Sequence, residues 1–292
     1  MLAFLVRRRA SPDGAAGRGG LSARRRSEGR RGVVVALVST AVVFTGLGFA
    51  IVYSPGWSEF RQAFLNGHRF VSDFPEIASA FLLNVKIFCI SEPIILVLAL
   101  GVAVLRSLPG PAFFPLRVLA IAYADLFRGV PTILVILMLG FGMPALGLSW
   151  LPSSETFWGI VSLVLVYTAY VSEVYRAGLE SVHPSQDAAA RSLGLTRLQG
   201  LQYVIVPQAV RRVIPPLLND FIGLQKDTAL VSVLGAVEAL QQANIDEGAT
   251  FNFTPYVAAA VLFVAITIPL TRFTDVLIAR ERRRRQAAGV AA

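Results

Sequence analysis

Long apolar runs, each near the length that an α-helix needs to cross a lipid bilayer, recur along this sequence. The first, residues 33–53, carries no charged residue, and as a helix at 1.5 Å per residue it would be about 31 Å long. Short polar segments separate the runs. The pattern predicts an all-α, polytopic membrane protein with six transmembrane helices, at about residues 33–53, 77–105, 114–148, 156–177, 210–234 and 254–278.

Composition also indicates a membrane protein and argues against a soluble domain. Of the 292 residues, 55% are hydrophobic and 15% are charged, and the mean hydropathy is +0.63. The formal net charge of +9 comes almost entirely from arginine, because Lys86 and Lys226 are the only lysines. These arginines flank the apolar runs, so they indicate membrane orientation and no nucleic acid partner.

The placement of arginine predicts that both termini are cytosolic. The expected external segments are residues 54–76, 149–155 and 238–253. They contain only Arg61 and Arg69, whereas the other arginines of loops and tails fall on the opposite side. We expect residues 1–32 to be a disordered basic cytosolic tail and residues 281–292 to be a second basic tail.

The connection between the fourth and fifth predicted spans, at about residues 181–207, is too polar for lipid and longer than a plain loop needs. We expect two short helices here. Ser185 is the predicted N-cap of the first, with Asp187 near the positive end of its dipole. Gly194 is suited to end that helix in the left-handed conformation.

Thr196 and Gln199 have the spacing of a capping box at the start of the second short helix, and Pro207 should end it. A cytosolic elbow of two capped helices is typical of a docking element.

Residues in this elbow resemble the EAA loop of ABC importer permeases. That loop has Glu-Ala-Ala, three residues, Gly, nine residues, then Ile-x-Leu-Pro. Here three alanines at residues 188–190 precede Gly194 and the sequence VIVP at residues 204–207. Ala188 stands where the family has its acid. Asp187 is one position away, and a shift of one residue turns a helical side chain by about 100°.

Flanking stretches are similar to the polar amino acid subfamily, which imports histidine, glutamine, glutamate, arginine or cystine. They are YVSEVYRAG at residues 170–178, PQAVR at residues 207–211 and KDTAL at residues 226–230. The resemblance covers about residues 75–280. It implies a type I permease domain at residues 77–280 with a five-helix core, to which residues 33–53 add one N-terminal transmembrane helix.

The resemblance implies a transport subunit without catalytic residues, in the plasma (inner) membrane of a prokaryote. Its implied partners are a dimer of ATP-binding subunits, a second permease (a copy or a paralogue), an extracytoplasmic solute-binding protein, the amino acid substrate and membrane lipid. The sequence has no GxxxxGK[ST] motif, so ATP would be bound by the partner and no cofactor is expected in this chain. The implied coupling residues are Asp187, Ala188, Ala189, Ala190, Arg191, Gly194 and Pro207.

Polar residues inside the predicted spans are candidates for the substrate pathway, because ionisable groups are costly in lipid and face a bundle interior or a wet cavity. Lys226 and Asp227 point about 100° apart on a helix, so each needs its own partner. The alternative is that these polar groups hold helices together. The candidates are Asn84, Glu92, Asn219, Asp220, Lys226 and Asp227.

Two charge pairs with a spacing of three residues, Asp125 with Arg128 and Glu173 with Arg176, are candidates for a cytosolic gate. Each pair could instead only neutralise itself at the membrane interface. Gly129 and Pro131 should kink the third span beside the first pair.

Two other functions remain open. The docking loop is shared by importers of other small solutes, such as a peptide, an opine or a metal chelate. An intramembrane enzyme would need a nucleophile and a base that meet in the membrane, and neither His68 nor His183 is placed for that. Neither histidine has ligand partners nearby in sequence, and Cys89 lies in an apolar run, so no metal site is expected.

Overall fold

The computed structural model describes residues 18–108 and 110–290, with side chains described for residues 34–108, 110–280 and 283. The described ranges are mainly helical and contain no β-strand. The chain divides into two units, of which the first ends at Arg61 and the second begins at Gln62. The helices are α1 (Arg18–Val52), α2 (Trp57–Phe64), α3 (Gly67–Ser107), α4 (Phe114–Gly129), α5 (Thr132–Ala145), α6 (Glu155–Glu180), α7 (Pro184–Ser192), α8 (Arg197–Gly200), a π-helical turn (Leu201–Ile205), α9 (Val206–Asp227), a 3-10 helix (Thr228–Leu234), α10 (Ala239–Thr250) and α11 (Thr254–Val290).

Helix α1 contains the first predicted span and begins earlier than expected. The prediction of a disordered tail over residues 1–32 is wrong for residues 18–32, which are helical, while residues 1–17 lie outside the described residues. Arginine is a good helix former, and the arginines of this stretch favour continuation of the helix from the apolar run despite the glycines among them.

Four helical stretches of the described chain are long and apolar enough to cross a membrane: Val34–Val52, Trp57–Ser107, Glu155–Glu180 and Thr254–Arg280. A fifth span results if α4 and α5 count as one, although they meet at 104°. The predicted kink at Gly129 and Pro131 is therefore a break. Pro131 has no N–H to donate to a continuing helix, and its ring disfavours helical conformation at Val130, which is extended.

The fifth predicted span, residues 210–234, is not confirmed by length and composition. Helix α9 carries Asp220, Lys226 and Asp227 and passes into the 3-10 helix at Thr228. The five-helix core that depends on it stays a prediction.

Two segments expected as external loops are largely helical. Residues 54–76 contain α2 and the first turns of α3, and residues 238–253 contain α10. An apolar cluster joins α3, α10 and α11, with Phe81, Ala243 and Ala258 among its buried members. Helix formation there follows from this tertiary packing, which a count of polar residues in a loop does not reveal.

Helix α6 lies at the centre of the second unit and packs against α3, α4, α5 and α9. Two glycines of α6 permit close approach: an added Cβ would collide with Val231 at Gly159 and with Val213 at Gly178. This packing carries the chain from the membrane bundle to the polar elbow that follows α6.

Candidate coupling elbow and polar clusters

Helix α7 is the first arm of the coupling elbow, residues 181–207. Its N-cap is His183 and not the predicted Ser185: Nδ1 of His183 accepts a hydrogen bond from the backbone N–H of Ser185 at 3.2 Å. Pro184 takes the first helical position, where its missing N–H is harmless, and this places Ser185 inside the helix. Asp187 lies in the first turn as predicted.

Gly194 ends this arm with φ of +83°, which confirms the predicted left-handed glycine. Its N–H donates to the carbonyl of Arg191 at 2.9 Å, and the N–H of Leu195 donates to that of Ala190 at 3.2 Å. These two bonds form a Schellman motif, which satisfies carbonyls that the helix end leaves free.

The second arm begins with the predicted capping box. The N–H of Gln199 donates to Oγ1 of Thr196 at 3.3 Å, and the N–H of Thr196 donates to Oε1 of Gln199 at 2.9 Å. The prediction that Pro207 ends this arm is wrong, because the backbone stays helical into α9. The π-helical turn just before Pro207 adds one residue, with Val206 N–H bonding to the Leu201 carbonyl, and so accommodates the proline.

The elbow presents a row of large apolar side chains. Leu193 is 82% exposed, Leu198 is 72% exposed and Tyr203 is 66% exposed. The two arms pack together beneath them, since a Cβ at Gly200 would lie 3.5 Å from that of the buried Ala190. Exposed apolar groups held on a capped frame are typical of a surface that docks onto another protein.

The alanines of the EAA-like motif divide between the two sides of α7. Ala188 and Ala189 are exposed, whereas Ala190 is buried. The nearest acid, Asp187, forms an ion pair with Arg191 at 2.6 Å on its own helix. This part of the outer surface is therefore formed by alanine, and Asp187 is engaged within the elbow.

Polar contacts fasten the elbow to α9. Nη1 of Arg212 donates to the carbonyl of Ser181, and Nε2 of Gln208 donates to Oε1 of Gln186 at 3.3 Å. The approach of Gly178 to Val213 joins the end of α6 to the same part of α9. These contacts connect the elbow with the C-terminal end of α6 and the N-terminal part of α9.

Asn84, a predicted pathway residue, lies in a buried hydrogen-bond network. Its Nδ2 donates to Oε2 of Glu238 at 2.7 Å and to Oγ1 of Thr228 at 3.2 Å, and its Oδ1 accepts from the N–H of Ala239 at 3.1 Å. The carboxylate of Glu238 is completely buried and caps α10, and burial raises the pKa of this carboxyl. In the sequence this role of Glu238 is indicated only by its position, directly before the segment that forms α10.

Three other pathway candidates, Glu92, Asp220 and Asp227, form what we call the carboxylate cluster, in which Tyr167 lies close enough to both Asp220 and Asp227 to interact with them. Oδ2 of Asp227 accepts a hydrogen bond from the hydroxyl of Tyr167 at 2.9 Å. Glu92 lies close enough to Asp220 for their charges to interact, and Oδ2 of Asp220 is buried without a hydrogen-bond partner in the described chain. Of the two adjacent residues expected to need separate partners, Asp227 bonds to Tyr167 of α6, whereas Lys226 is exposed and its partner stays a prediction. Asn219 is exposed as well.

The ion pairs of the gate candidates centre on Glu173. The predicted pair with Arg176 is present, but the predicted pair of Asp125 with Arg128 is wrong: Asp125 is exposed, and Nη1 of Arg128 lies 3.7 Å from Oε2 of Glu173. Arg106, which the sequence did not single out, donates to the same Oε2 at 2.6 Å. Attraction of Arg128 to Glu173 of α6 thus replaces the predicted pairing with Asp125 within α4. We call Arg106, Arg128 and Arg176 the arginine cluster.

Among the described residues no group of histidine, cysteine and acidic side chains has the arrangement of a metal site. His183 acts as a helix cap. Cys89 is exposed on α3.

A family model described as the binding-protein-dependent transport system inner membrane component matches residues 111–283. The chain belongs to this family. As a member of this permease family it is a transport subunit rather than an enzyme, and the ATPase of such systems is a separate subunit. The matched residues include the elbow, α9 and the 3-10 helix.

Similar proteins extend the match toward the N-terminal side. A probable glutamine ABC transporter permease of Bacillus subtilis is 36% identical over 176 residues, which are 60% of this chain and 79% of that protein. The arginine transport system permease of the same organism is 30% identical over 203 residues, 69% of this chain and 90% of that one. A crystal structure of an amino acid ABC transporter with histidines matches with a TM-score of 0.65 at 31% identity, over 73% of this chain and 96% of that chain.

Proposed function

We propose that this permease imports a polar amino acid across the plasma membrane of a prokaryote, driven by ATP hydrolysis in a separate dimer of ATPase subunits. The observation that carries the proposal is the elbow: a capped, two-armed frame that exposes Leu193, Leu198 and Tyr203 inside the region matched to the permease family. The amino acid class rests on the glutamine and arginine permeases among its relatives.

The elbow supplies a route from the ATPase to the membrane helices. We infer that Ala188, Ala189 and the apolar row contact the ATPase and that Asp187, Arg191 and Gly194 hold their shape. Movement of the elbow would pass to α9 through Arg212, which donates to the carbonyl preceding α7. Pro207 lies within this continuous helical connection, so it transmits movement instead of ending the elbow.

The carboxylate cluster is the best candidate for the substrate pathway. An amino acid carries an ammonium group, and an acid such as Asp220 with an unpaired buried oxygen is a suitable acceptor for it. Exposed Asn219 and Lys226 would complete the lining. Asn84 serves a different purpose, because its polar atoms are already engaged.

Glu173 with the arginine cluster is the candidate gate. The ion pairs connect α3, α4 and α6, so separation of these helices would break them. Asp125 is exposed beside this group without a pairing to Arg128.

The remaining partners follow from the proposed orientation with both termini cytosolic. A solute-binding protein would dock near residues 147–156 and 236–253, and a second permease would complete the transmembrane part. Cysteine labelling after Tyr53 and after Leu234 should place both sites outside; labelling from the cytosolic side would contradict this orientation.

Uptake by the reconstituted complex tests the function. The permease, its ATPase and its binding protein in proteoliposomes should accumulate one or more of radiolabelled histidine, glutamine, glutamate, arginine and cystine, and only with ATP on the ATPase side. Accumulation of a peptide, an opine or a metal chelate with no amino acid uptake would favour the alternative importer.

A further inference from the structure

Charge in the arginine cluster is unbalanced. Arg106, Arg128 and Arg176 converge on one carboxylate, Glu173. Among the described residues the only additional acid in ion-pair contact is Glu180, which bonds to Arg176 at 2.5 Å. Three guanidinium groups thus meet two carboxylates among the described residues.

Two of the cationic groups also have unused donors. Nε of Arg106 is buried and has no hydrogen-bond partner within the described chain. The guanidinium of Arg128 reaches Glu173 only at 3.7 Å, beyond hydrogen-bond distance, and the described residues provide it with no hydrogen-bond acceptor. The buried, unpaired Nε of Arg106 is unfavourable, and the more exposed Arg128 keeps free donors, so the cluster can accept an anion.

The position of the cluster limits what can reach it. Arg106 lies in the last turn of the stretch Trp57–Ser107, which is long and apolar enough to cross a membrane, so we place the cluster near the level of the lipid headgroups. Its side chain is only 11% exposed, whereas those of Arg128 and Arg176 are 39% and 32% exposed. An anion would therefore bond to Arg128, whose guanidinium has no hydrogen-bond acceptor among the described residues, and would be attracted by the charges of Arg106 and Arg176.

We propose that the arginine cluster is a binding site for one singly charged oxyanion, supplied by the headgroup phosphate of an acidic phospholipid. Planar guanidinium groups bind phosphate oxygens through paired hydrogen bonds, and basic pockets between membrane helices are suited to anionic headgroups. A free oxyanion such as inorganic phosphate has the same chemistry, and its contribution is measured separately. Anion binding there does not depend on which solute is carried, and it would involve the same ion pairs as the candidate gate.

The test titrates lipid against the purified complex of permease and ATPase in neutral detergent. Thermal unfolding is followed with short-chain phosphatidylglycerol, with phosphatidylcholine or with inorganic phosphate. Four forms are compared: wild type, Arg128→Gln, Arg128→Lys and the control Arg117→Gln. Arg117 is a cation in the first turn of the same helix, outside the cluster, and donates to the carbonyl of Gly110 at 3.2 Å.

Phosphatidylglycerol should raise the melting temperature of the wild type saturably, and phosphatidylcholine should not. Arg128→Gln should raise the half-saturating concentration about fivefold, from the contribution of one arginine at a membrane surface. Arg128→Lys should recover most of that loss, and Arg117→Gln should match the wild type.

A saturable shift with inorganic phosphate that Arg128→Gln weakens also supports the oxyanion site and identifies a soluble source. The absence of a saturable shift with either anion would overturn the proposal. An equal loss in Arg117→Gln and Arg128→Gln would do so as well, because it would show general surface attraction. Arg117→Gln leaves the contacts of Glu173 unchanged and Arg128→Lys keeps a cation beside it, so misfolding of Arg128→Gln alone would not remove the comparison.

Discussion

Asn84 of α3 donates a hydrogen bond of 2.7 Å to the completely buried carboxylate of Glu238, 154 positions later in the chain. The same carboxylate accepts the N–H groups of Leu240 and Gln241 at the start of α10. One side chain of a spanning helix thus positions a short helix of the segment expected to be external. This relationship changes the interpretation of Asn84 from a pathway residue to an anchor.

Asn84→Ala should destabilise the permease by about 2 kcal/mol, because it removes a hydrogen bond to a buried charged group and leaves its partners unmatched. Thermal unfolding of the purified protein measures this change. Asn219→Ala, at an exposed amide, is the control and should have little effect. Equal stability of wild type and Asn84→Ala would show that the network does not anchor α10.

Asp246 of α10 should make stability depend on pH. Burial raises the pKa of its carboxyl, and the neighbouring acids Asp73 and Glu76 raise it further. An acid whose pKa is higher in the folded than in the unfolded protein favours folding when it is protonated. Its contribution is therefore complete below the unfolded pKa of about 4 and is lost as pH rises through the folded pKa.

Asp246→Asn should accordingly raise the melting temperature at pH 7 and flatten its dependence on pH in the acid range. Glu247→Gln provides a neighbouring control on the same helix, for which we expect no comparable change. A lower melting temperature for Asp246→Asn at pH 7 would contradict this account.

The sequence predicted best those features that depend on neighbouring residues. The capping box of Thr196 and Gln199 and the left-handed Gly194 involve contacts over a few positions, and both are present. Pro207 was misjudged because its effect depends on the register of the preceding turn. A π-helical turn accommodates it, and no residue type announces such a turn.

Charge pairs also divide into local contacts, which the sequence predicts, and contacts that depend on the tertiary fold. The Glu173–Arg176 pair lies within one turn of α6 and was predictable. Arg106 lies 67 positions before Glu173 and meets it only because α3 packs beside α6. That contact, and the resulting competition for Arg128, is a property of the tertiary fold and not of the local spacing.

In the carboxylate cluster, Asp227→Ala should slow uptake severalfold while the complex still assembles, since a charged group kept within a membrane bundle indicates a role in the pathway or gate. Lys226→Ala should also impair uptake. Tyr167→Phe removes the hydroxyl bonded to Asp227 and tests whether the effect of Asp227 passes through that bond. Uptake in proteoliposomes, corrected for the amount of assembled complex, is the measurement. Normal rates for both Lys226→Ala and Asp227→Ala would favour the alternative in which these groups only hold helices together.

The elbow allows the sharpest test of coupling. Gly194 adopts φ of +83°, a conformation that penalises any side chain by roughly 1 kcal/mol, and a Cβ there would meet no neighbouring atom. The local cost of Gly194→Asp is therefore backbone strain rather than collision, and this cost is small for a protein of this size.

The effect of Gly194→Asp on function should be larger, because the angle between α7 and α8 sets the spacing of Leu193 and Leu198 on the exposed face. We expect the variant to insert and assemble, yet to lose most ATP-driven uptake and most stimulation of hydrolysis by the binding protein. Gly110→Asp is the matched control and should retain uptake, because Gly110 has φ of +94°, has no neighbours at its Cβ and lies outside the elbow. Arg191→Ala should reduce uptake less than Gly194→Asp, since it frees Asp187 without changing the backbone. Full uptake and full stimulated hydrolysis in Gly194→Asp would mean that this elbow is not the element that couples the ATPase to the membrane helices.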